Sequence, residues 1–242
     1  MSMTGTPSNH VRFATTRWSL VAAAGQSNDE RQAALEQLCQ HYWTPLYAFL
    51  RQQGHSQTDA QDLTQAFILE LLSKNTWAAA DKDRGRFRSF LLGCLKNFLS
   101  HEREKQQAKK RGGSKLHFDL YPQEGESAYQ SVAREPSPEK LFEQAWLNTV
   151  LQRVCDRLVQ LHNKGDDSLS ILSLLPSVVG SSPDYEQLAQ QHHKTQAAMR
   201  QTISRLRKQY QQLLLEEIGD TVMTEDDIHL EIQYLFNLAS RK

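Results

Sequence analysis

The residues most clearly suited to a chemical role are lysines and arginines, which are concentrated in two short segments. Residues 81–111, DKDRGRFRSFLLGCLKNFLSHEREKQQAKKR, hold ten lysine or arginine residues against four acidic ones, although the whole chain has a formal net charge of zero. Residues 194–210, KTQAAMRQTISRLRKQY, hold five basic residues and no acidic one. These are called the first and second basic segments. Two positive patches on an otherwise acidic chain indicate a polyanion held at two places. For either segment alone, a solvated helix face is the simpler alternative.

Catalytic and metal-binding patterns are much weaker. The three cysteines lie far apart without a C-x-x-C pair, which favours reduced, mostly buried thiols in a reducing compartment. His192 and His193 are adjacent on an expected turn, where both rings cannot easily face one ion. The sequence has no Gly-rich phosphate loop and no carboxylate cluster in a catalytic setting. We therefore expect no enzyme, no catalytic residue, no cofactor and no metal.

Hydrophobic patterning also bears on location. The first sixteen residues, MSMTGTPSNHVRFATT, contain no apolar run of the kind a signal peptide needs. No apolar stretch approaches the roughly 20 residues that span a bilayer. We expect a cytoplasmic protein with no membrane insertion.

The elements that must position the basic residues are helices, because 3.6-residue periodicity dominates and no alternating strand pattern stands out. We predict an all-α fold. The clearest helix covers 87–103, with one apolar stripe: Phe87, Phe90, Leu91, Cys94, Leu95, Phe98 and Leu99. Its opposite side offers Ser89, Lys96, Asn97, Ser100 and Arg103. An earlier helix over 29–53 should be kinked or divided by Pro45 and ended by Gly54. The helix after it should be capped by Thr58.

A second helical unit is predicted at 183–210, which has the pattern of a helix-turn-helix with Thr195 capping the second helix. At about 100° per residue, this helix should turn one set inward: Met199, Thr202, Ile203, Leu206 and Tyr210. Ala197, Gln201, Ser204 and Lys208 should point outward, with Arg200 and Arg207 on one flank and Arg205 on the other. Amide, hydroxyl and guanidinium groups on one face are what reading of a DNA major groove requires. A generic helical hairpin remains the alternative.

Composition shifts divide the chain into two helical domains joined by a flexible linker. The linker starts at Gly112-Gly113, ends at Pro136-Ser-Pro138 and shows little periodicity. The predicted parts are a disordered N-terminus (1–15), a first domain (16–111), the linker (112–138), a second domain (139–220) and an amphipathic C-terminal helix (221–242).

Three stretches, in this order, resemble one known family. DAQDLTQAFILELL (59–72) is similar to the core-binding helix of bacterial RNA polymerase sigma factors of the extracytoplasmic-function type. RGRFRSFLLGCLKNFLSHERE (84–104) is similar to the family's helix that handles the −10 element. DYEQLAQQHHKTQAAMRQTISRLRKQY (184–210) matches its −35-reading helix-turn-helix without a gap. The resemblance covers about residues 16 to 240; His193 stands where the family usually has Gly, and Phe90 where it often has Trp.

The resemblance implies a non-catalytic protein that binds core RNA polymerase and delivers it to promoter DNA. The first domain would be similar to sigma region 2 and the second to sigma region 4. Core polymerase would contact Asp59, Asp62, Gln65 and Phe67. The melted −10 strand would contact Arg86, Arg88, Lys96, Asn97 and Arg103. The −35 duplex would contact Gln196, Arg200, Gln201, Ser204, Arg205, Arg207 and Lys208. An anti-sigma factor or another regulator is a further partner that the resemblance allows.

Other interpretations remain open. A helix-turn-helix transcriptional regulator independent of polymerase would use the second basic segment and keep 17–110 for dimerisation or sensing. A nuclease or a purely structural helical bundle are further alternatives. For the C-terminal helix, the apolar stripe of Ile228, Ile232, Leu235 and Phe236 must be buried somewhere. It would either pack on the second domain's own helices or serve regulation. In the regulatory case Glu225, Asp226, Asp227 and Glu231 would shield the Arg205–Lys208 cluster.

Overall fold

The computed structural model describes eight stretches of the chain: residues 28–74, 86–108, 125–127, 129–130, 137–162, 171–180, 182–219 and 225–240. Within these stretches the regular secondary structure is helical and there is no strand, so the all-α prediction is confirmed. Residues 1–15, predicted to form a disordered N-terminus, and residues 81–85 of the first basic segment lie outside the described residues. No helix in the described stretches is long and apolar enough to cross a bilayer.

The helices are numbered here in chain order. They are α1 (Asn28–Gln52), α2 (Gln57–Ser73), α3 (Phe87–Ala108), α4 (Pro138–His162), α5 (Ile171–Val179), α6 (Tyr185–Gln191), α7 (Gln196–Gly219) and α8 (Glu225–Ser240).

The ends of α1 and α2 follow from local chemistry. Helix α1 runs through Pro45, so it is not divided there. As predicted, the helix ends before Gly54, which adopts a φ of 90°. The prediction that Thr58 caps α2 is wrong. The capping residue is Ser56, whose hydroxyl accepts a hydrogen bond from the backbone N–H of Asp59 at 3.1 Å. Because Ser56 lies two residues earlier, it reaches the free N–H groups of the first turn.

One large apolar core joins α1, α2 and α3. Its aromatic contacts include Tyr42 with Phe87, at 5.4 Å between ring centroids, and Phe67 with Phe98, at 5.6 Å. The predicted stripe of α3 supplies five buried residues: Phe87, Leu91, Leu95, Phe98 and Leu99. Since burying a large apolar side chain contributes about 1.5–3 kcal/mol, this stripe fixes which face of α3 remains outward.

Helix α4 contributes to two cores. Its first half places Phe142, Trp146 and Val150 in the core of α1–α3, whereas Val154 and Leu158 pack with α5, α6 and α7 in a second core. The two predicted domains therefore meet along α4. Their existence as separate units stays a prediction.

Part of the predicted linker is helical and held against α1. Residues 125–127 and 129–130 are helical. Glu126 accepts hydrogen bonds from the Tyr47 hydroxyl and from Arg51, whose Nε lies 3.0 Å from Oε2 of Glu126. The Arg51 guanidinium also stacks 4.9 Å from the centre of the Tyr129 ring. These contacts anchor the middle of the linker region to the first core.

Helix α8 packs in a place that neither sequence interpretation foresaw. Its buried Leu235 joins the core that contains α1–α3, and Ile228 and Ile232 pack partly buried against that core. Helix α8 also contacts α7 and α4. Packing on the second domain alone is therefore too narrow a description. The side chain of Phe236 lies outside the described residues.

Candidate nucleic-acid interface

The second basic segment lies on α7, which follows α6 after a turn of residues 192–195. Asp184 caps α6 by accepting hydrogen bonds from the N–H groups of Glu186 and Gln187, each at 3.0 Å. Thr195 caps α7 through the N–H of Ala198 at 3.2 Å, as predicted. Within the turn His193 has a φ of 50°, which is the left-handed conformation expected where the resembled family has Gly.

The two faces of α7 separate almost as the helical period predicts. Met199, Ile203, Leu206 and Tyr210 are buried, and Thr202 is half-buried. Six of the seven predicted −35 residues are exposed: Gln196, Arg200, Gln201, Ser204, Arg205 and Lys208. They form a polar and cationic row on the side of α7 that faces away from the second core.

Arg207 is the exception among the seven. It is half-buried, and its Nε and Nη2 donate hydrogen bonds to the backbone carbonyl of Ser177 at 3.2 and 2.8 Å. These bonds tie α7 to the end of α5. Arg207 therefore supports the position of α7 rather than the exposed row.

On α3 the predicted −10 residues divide into two groups. Asn97 and Arg103 are exposed, and Lys96 is about half exposed. The Nζ of Lys96 lies 2.7 Å from Oε1 of Glu139 at the start of α4. Hydrogen bonds from Lys96 and Ser137 lower the pKa of Glu139 to about 2. Lys96 thus carries a surface ion pair that solvent still reaches.

Arg88 lies in the interior, which the sequence interpretation did not expect. Its side chain is only 1% exposed, with Nε 2.7 Å from Oε2 of Glu143 and Nη2 2.5 Å from Oε1 of Glu231. The guanidinium also stacks 4.3 Å from the centre of the Trp146 ring. Burial alone would lower the pKa of Arg88, but the carboxylates of Glu143 and Glu231 outweigh it and raise that pKa above its ordinary value. In this conformation Arg88 cannot touch a nucleic acid.

Arg86 shares the same carboxylate. Its Nε lies 2.7 Å from Oε2 of Glu231, and its guanidinium stacks 4.6 Å from the centre of the Tyr234 ring. In the regulatory interpretation of the C-terminal helix, Glu231 would shield the Arg205–Lys208 cluster, but its ion pairs are formed with Arg86 and Arg88 instead. The side chains of Glu225, Asp226 and Asp227 lie outside the described residues.

The predicted core-polymerase residues occupy both sides of α2. Asp59, Asp62 and Gln65 are half-buried near the surface, whereas Phe67 is 2% exposed and packs against Phe98. Phe67 therefore helps to fix the orientation of α2 from its buried side. The sequence interpretation missed Leu69, an apolar residue of α2 that is 55% exposed. The available signal was its position outside the i, i+3, i+4, i+8 spacing of the apolar residues Leu63, Ala66, Phe67 and Leu71.

The described residues contain no group of three or more His, Cys, Asp or Glu side chains that could hold a metal ion. The three cysteines are free and half-buried. Burial raises the pKa of each thiol, for Cys39 to about 11 with a further contribution from Glu36. Because the thiolate is the nucleophilic form, these cysteines are poorly suited to covalent chemistry.

We compared the chain with protein-family models, with curated protein sequences and with solved structures, and none of these comparisons found a match.

Proposed function

We propose that this chain is a sigma factor, which binds core RNA polymerase and directs it to promoter DNA for transcription initiation. The observation that carries the proposal is the exposed polar row on α7. This row lies opposite a buried apolar face, on a helix that a short turn with a positive φ at His193 joins to α6. A helix presented in this way is suited to entering a major groove.

The side chains of the row match the chemistry of a DNA duplex. Arginine donates a pair of hydrogen bonds to guanine, and glutamine pairs with adenine. In our proposal Arg200, Gln201 and Ser204 read bases of the −35 element. Gln196, Arg205 and Lys208 contact phosphates, which fix the register of the protein on the duplex.

The first domain supplies the other two contacts in this proposal. The exposed face of α3 holds the melted −10 strand. Arg103 attracts the phosphates of the DNA backbone, and the amide of Asn97 forms hydrogen bonds with unstacked bases. On α2 the surface that includes Asp62, Gln65 and the exposed Leu69 docks on core polymerase. An apolar residue among polar ones is typical of the centre of a protein interface.

A run-off transcription assay tests the proposal. Purified protein is added to core RNA polymerase on genomic DNA fragments, and transcript ends are mapped. We expect discrete start sites that core polymerase alone does not give, and co-purification of the chain with core polymerase. A chain that never associates with core polymerase, or that hydrolyses nucleic acid, contradicts the proposal.

Substitutions on α7 test the assigned roles. Arg200→Ala and Gln201→Ala should change −35 sequence preference, because a lost base contact costs about 1–3 kcal/mol of discrimination. Lys208→Ala should weaken binding to all sequences and reduce the salt slope by about one. Unchanged sequence preference in both Arg200→Ala and Gln201→Ala, or a changed preference in Lys208→Ala, would reject the assignment.

A second candidate function is a helix-turn-helix regulator that acts without binding core polymerase. The observation that favours it is the difference between the two basic segments: the row on α7 is exposed, while Arg88 of the first segment is buried. Such a regulator would bind a specific duplex alone and would not co-purify with core polymerase. The same two measurements therefore separate the candidates.

A further inference from the structure

Glutamates of the chain itself neutralise part of the face of α3 that is proposed to hold single-stranded DNA. Three of its four candidate cations form ion pairs with carboxylates of α4 or α8. These pairs are Arg86 with Glu231, Arg88 with both Glu231 and Glu143, and Lys96 with Glu139. Asn97 and Arg103, nearer the C-terminal end of α3, are exposed. The covered part is thus the N-terminal end of the face.

Arg88 cannot be covered by α8 and bind DNA at the same time. Carboxylate and phosphate oxygens accept the same charge-assisted hydrogen bonds from a guanidinium. With Arg88 and Glu231 each only 1% exposed, no phosphate oxygen can reach Arg88 while α8 is in place. Tyr234 of α8 lies over the guanidinium of Arg86 as well.

Helix α8 is the part of this cover that can move. Among its described side chains Leu235 is the one buried apolar residue, and Ile228 and Ile232 are half-buried, while Leu230 is 62% exposed and Tyr234 is also exposed. Helix α4, by contrast, is fixed by Phe142 and Trp146 in the core. Regions with few buried apolar contacts open at low free energy.

Opening also avoids the main penalty of disrupting a buried ion pair. Removing one partner leaves the other charge buried and unpaired, which is strongly unfavourable. When α8 moves away as a whole, Glu231 enters water and Arg88 keeps its pair with Glu143 of α4, so neither charge remains buried alone. The free energy of detaching α8 is therefore smaller than the cost of leaving a buried Arg88 or Glu231 without any partner.

We infer that α8 is an autoinhibitory latch: docked through Glu231 and Tyr234, it closes the single-strand-binding face of α3, and it must detach before Arg86 and Arg88 can bind DNA. The inference rests on the proposed function, which assigns that face to the melted strand. It replaces shielding of the Arg205–Lys208 cluster with shielding of the first basic segment.

The test measures single-strand binding by the full chain without polymerase. The probe is a fluorescein-labelled single-stranded oligonucleotide of random sequence and about 12 nucleotides, within the range of known single-strand sites. Fluorescence anisotropy compares the unaltered protein with Glu231→Gln. The matched control is Glu104→Gln, which removes the same charge from an exposed position on α3 itself. Tyr234→Ala is a second latch variant, in case Glu231→Gln folds poorly.

We expect Glu231→Gln to bind about 3–10-fold more tightly, because apparent affinity rises with the fraction of open molecules. The gain should fade between about 50 and 200 mM salt and become smaller in Glu231→Gln/Arg88→Gln, which keeps only Arg86 of the two released arginines. Tyr234→Ala should gain affinity in the same direction, and the oligonucleotide should speed hydrogen exchange in α8 but not in α4. This pattern supports the latch.

Three outcomes overturn the latch. One is equal binding by the unaltered protein and both latch variants. Another is an equal gain in Glu104→Gln, which would mean that net charge alone matters. The third is no binding of the oligonucleotide by any form. Run-off transcription with core polymerase decides the proposed function separately, because it can succeed in each of these cases.

Discussion

Replacing Arg88 with methionine tests whether the buried ion cluster exists in solution. Arg88 is 1% exposed, contacts Glu143 and Glu231 and stacks on Trp146. Methionine is long, flexible and apolar, so it keeps much of the contact with Trp146 while it removes the positive charge. The substitution therefore isolates the charge from the packing.

The expected loss follows from what remains around the site. Removing one partner of a buried ion pair costs about 3–5 kcal/mol. Here Glu231 keeps its pair with Arg86 at 2.7 Å, and Glu143 is partly exposed. The loss in the free energy of unfolding also cannot exceed the free energy of detaching α8, because detachment exposes Glu231 to water. We therefore expect about 2–3 kcal/mol, which for a chain of this size lowers Tm by about 4–12 °C.

Thermal unfolding followed by circular dichroism measures this loss. The double variant Arg88→Met/Glu231→Gln should recover at least half of it, because neutral side chains then replace the buried charges on both sides. Arg205→Met is the control, since it removes the same charge from the exposed row of α7 and should leave Tm unchanged. If Arg88→Met unfolds at the same temperature as the unaltered protein, or the double variant is as unstable as both single losses added, the reasoning is wrong.

Three further predictions concern stability. Arg207→Ala should lose about 1–2 kcal/mol in urea unfolding, because two hydrogen bonds to a carbonyl of α5 disappear. A hydrogen bond from Arg51, outweighing burial, holds the pKa of Glu126 below its ordinary value, and the Tyr47 hydroxyl adds to it. The stability this gives is present above pH 4.5 and is lost as pH falls through the lowered pKa, so Glu126→Gln should lower Tm at pH 7 but not in strong acid. His193→Gly should raise stability by about 0.5 kcal/mol, because glycine adopts a positive φ without the side-chain penalty.

Each of these has an outcome that would contradict it. An Arg207→Ala chain as stable as the unaltered protein would mean that α5 and α7 are not joined by this bond. If the difference in Tm between Glu126→Gln and the unaltered protein instead stays constant from pH 7 to strong acid, the charge of Glu126 does not anchor the linker region to α1. A His193→Gly chain less stable than the original would show that the turn gains nothing from glycine.

Local features of the candidate interface were predictable from the sequence. The apolar stripe of α3 and the two faces of α7 follow from a 3.6-residue period, which needs no knowledge of neighbouring helices. Gly54 at the end of α1 follows from the ease with which glycine accepts a positive φ, whereas the turn at His193 was expected from the family resemblance, in which Gly usually stands at this position. Most of the row on α7 and the exposed Asn97 and Arg103 could therefore be named in advance. Local hydrogen bonding and side-chain spacing are sufficient for such features.

Only the tertiary structure decided what covers those surfaces. Arg88 follows Phe87 on α3, on a side that becomes buried once α4 and α8 pack there, and its partners Glu143 and Glu231 are distant in sequence. Helical period places a charge on a face but cannot say which other helix meets that face. The division of α4 between two cores and the docking of α8 on the first basic segment arise in the same way. They depend on long-range packing and on carboxylates that become neighbours of the arginines only when the chain has folded.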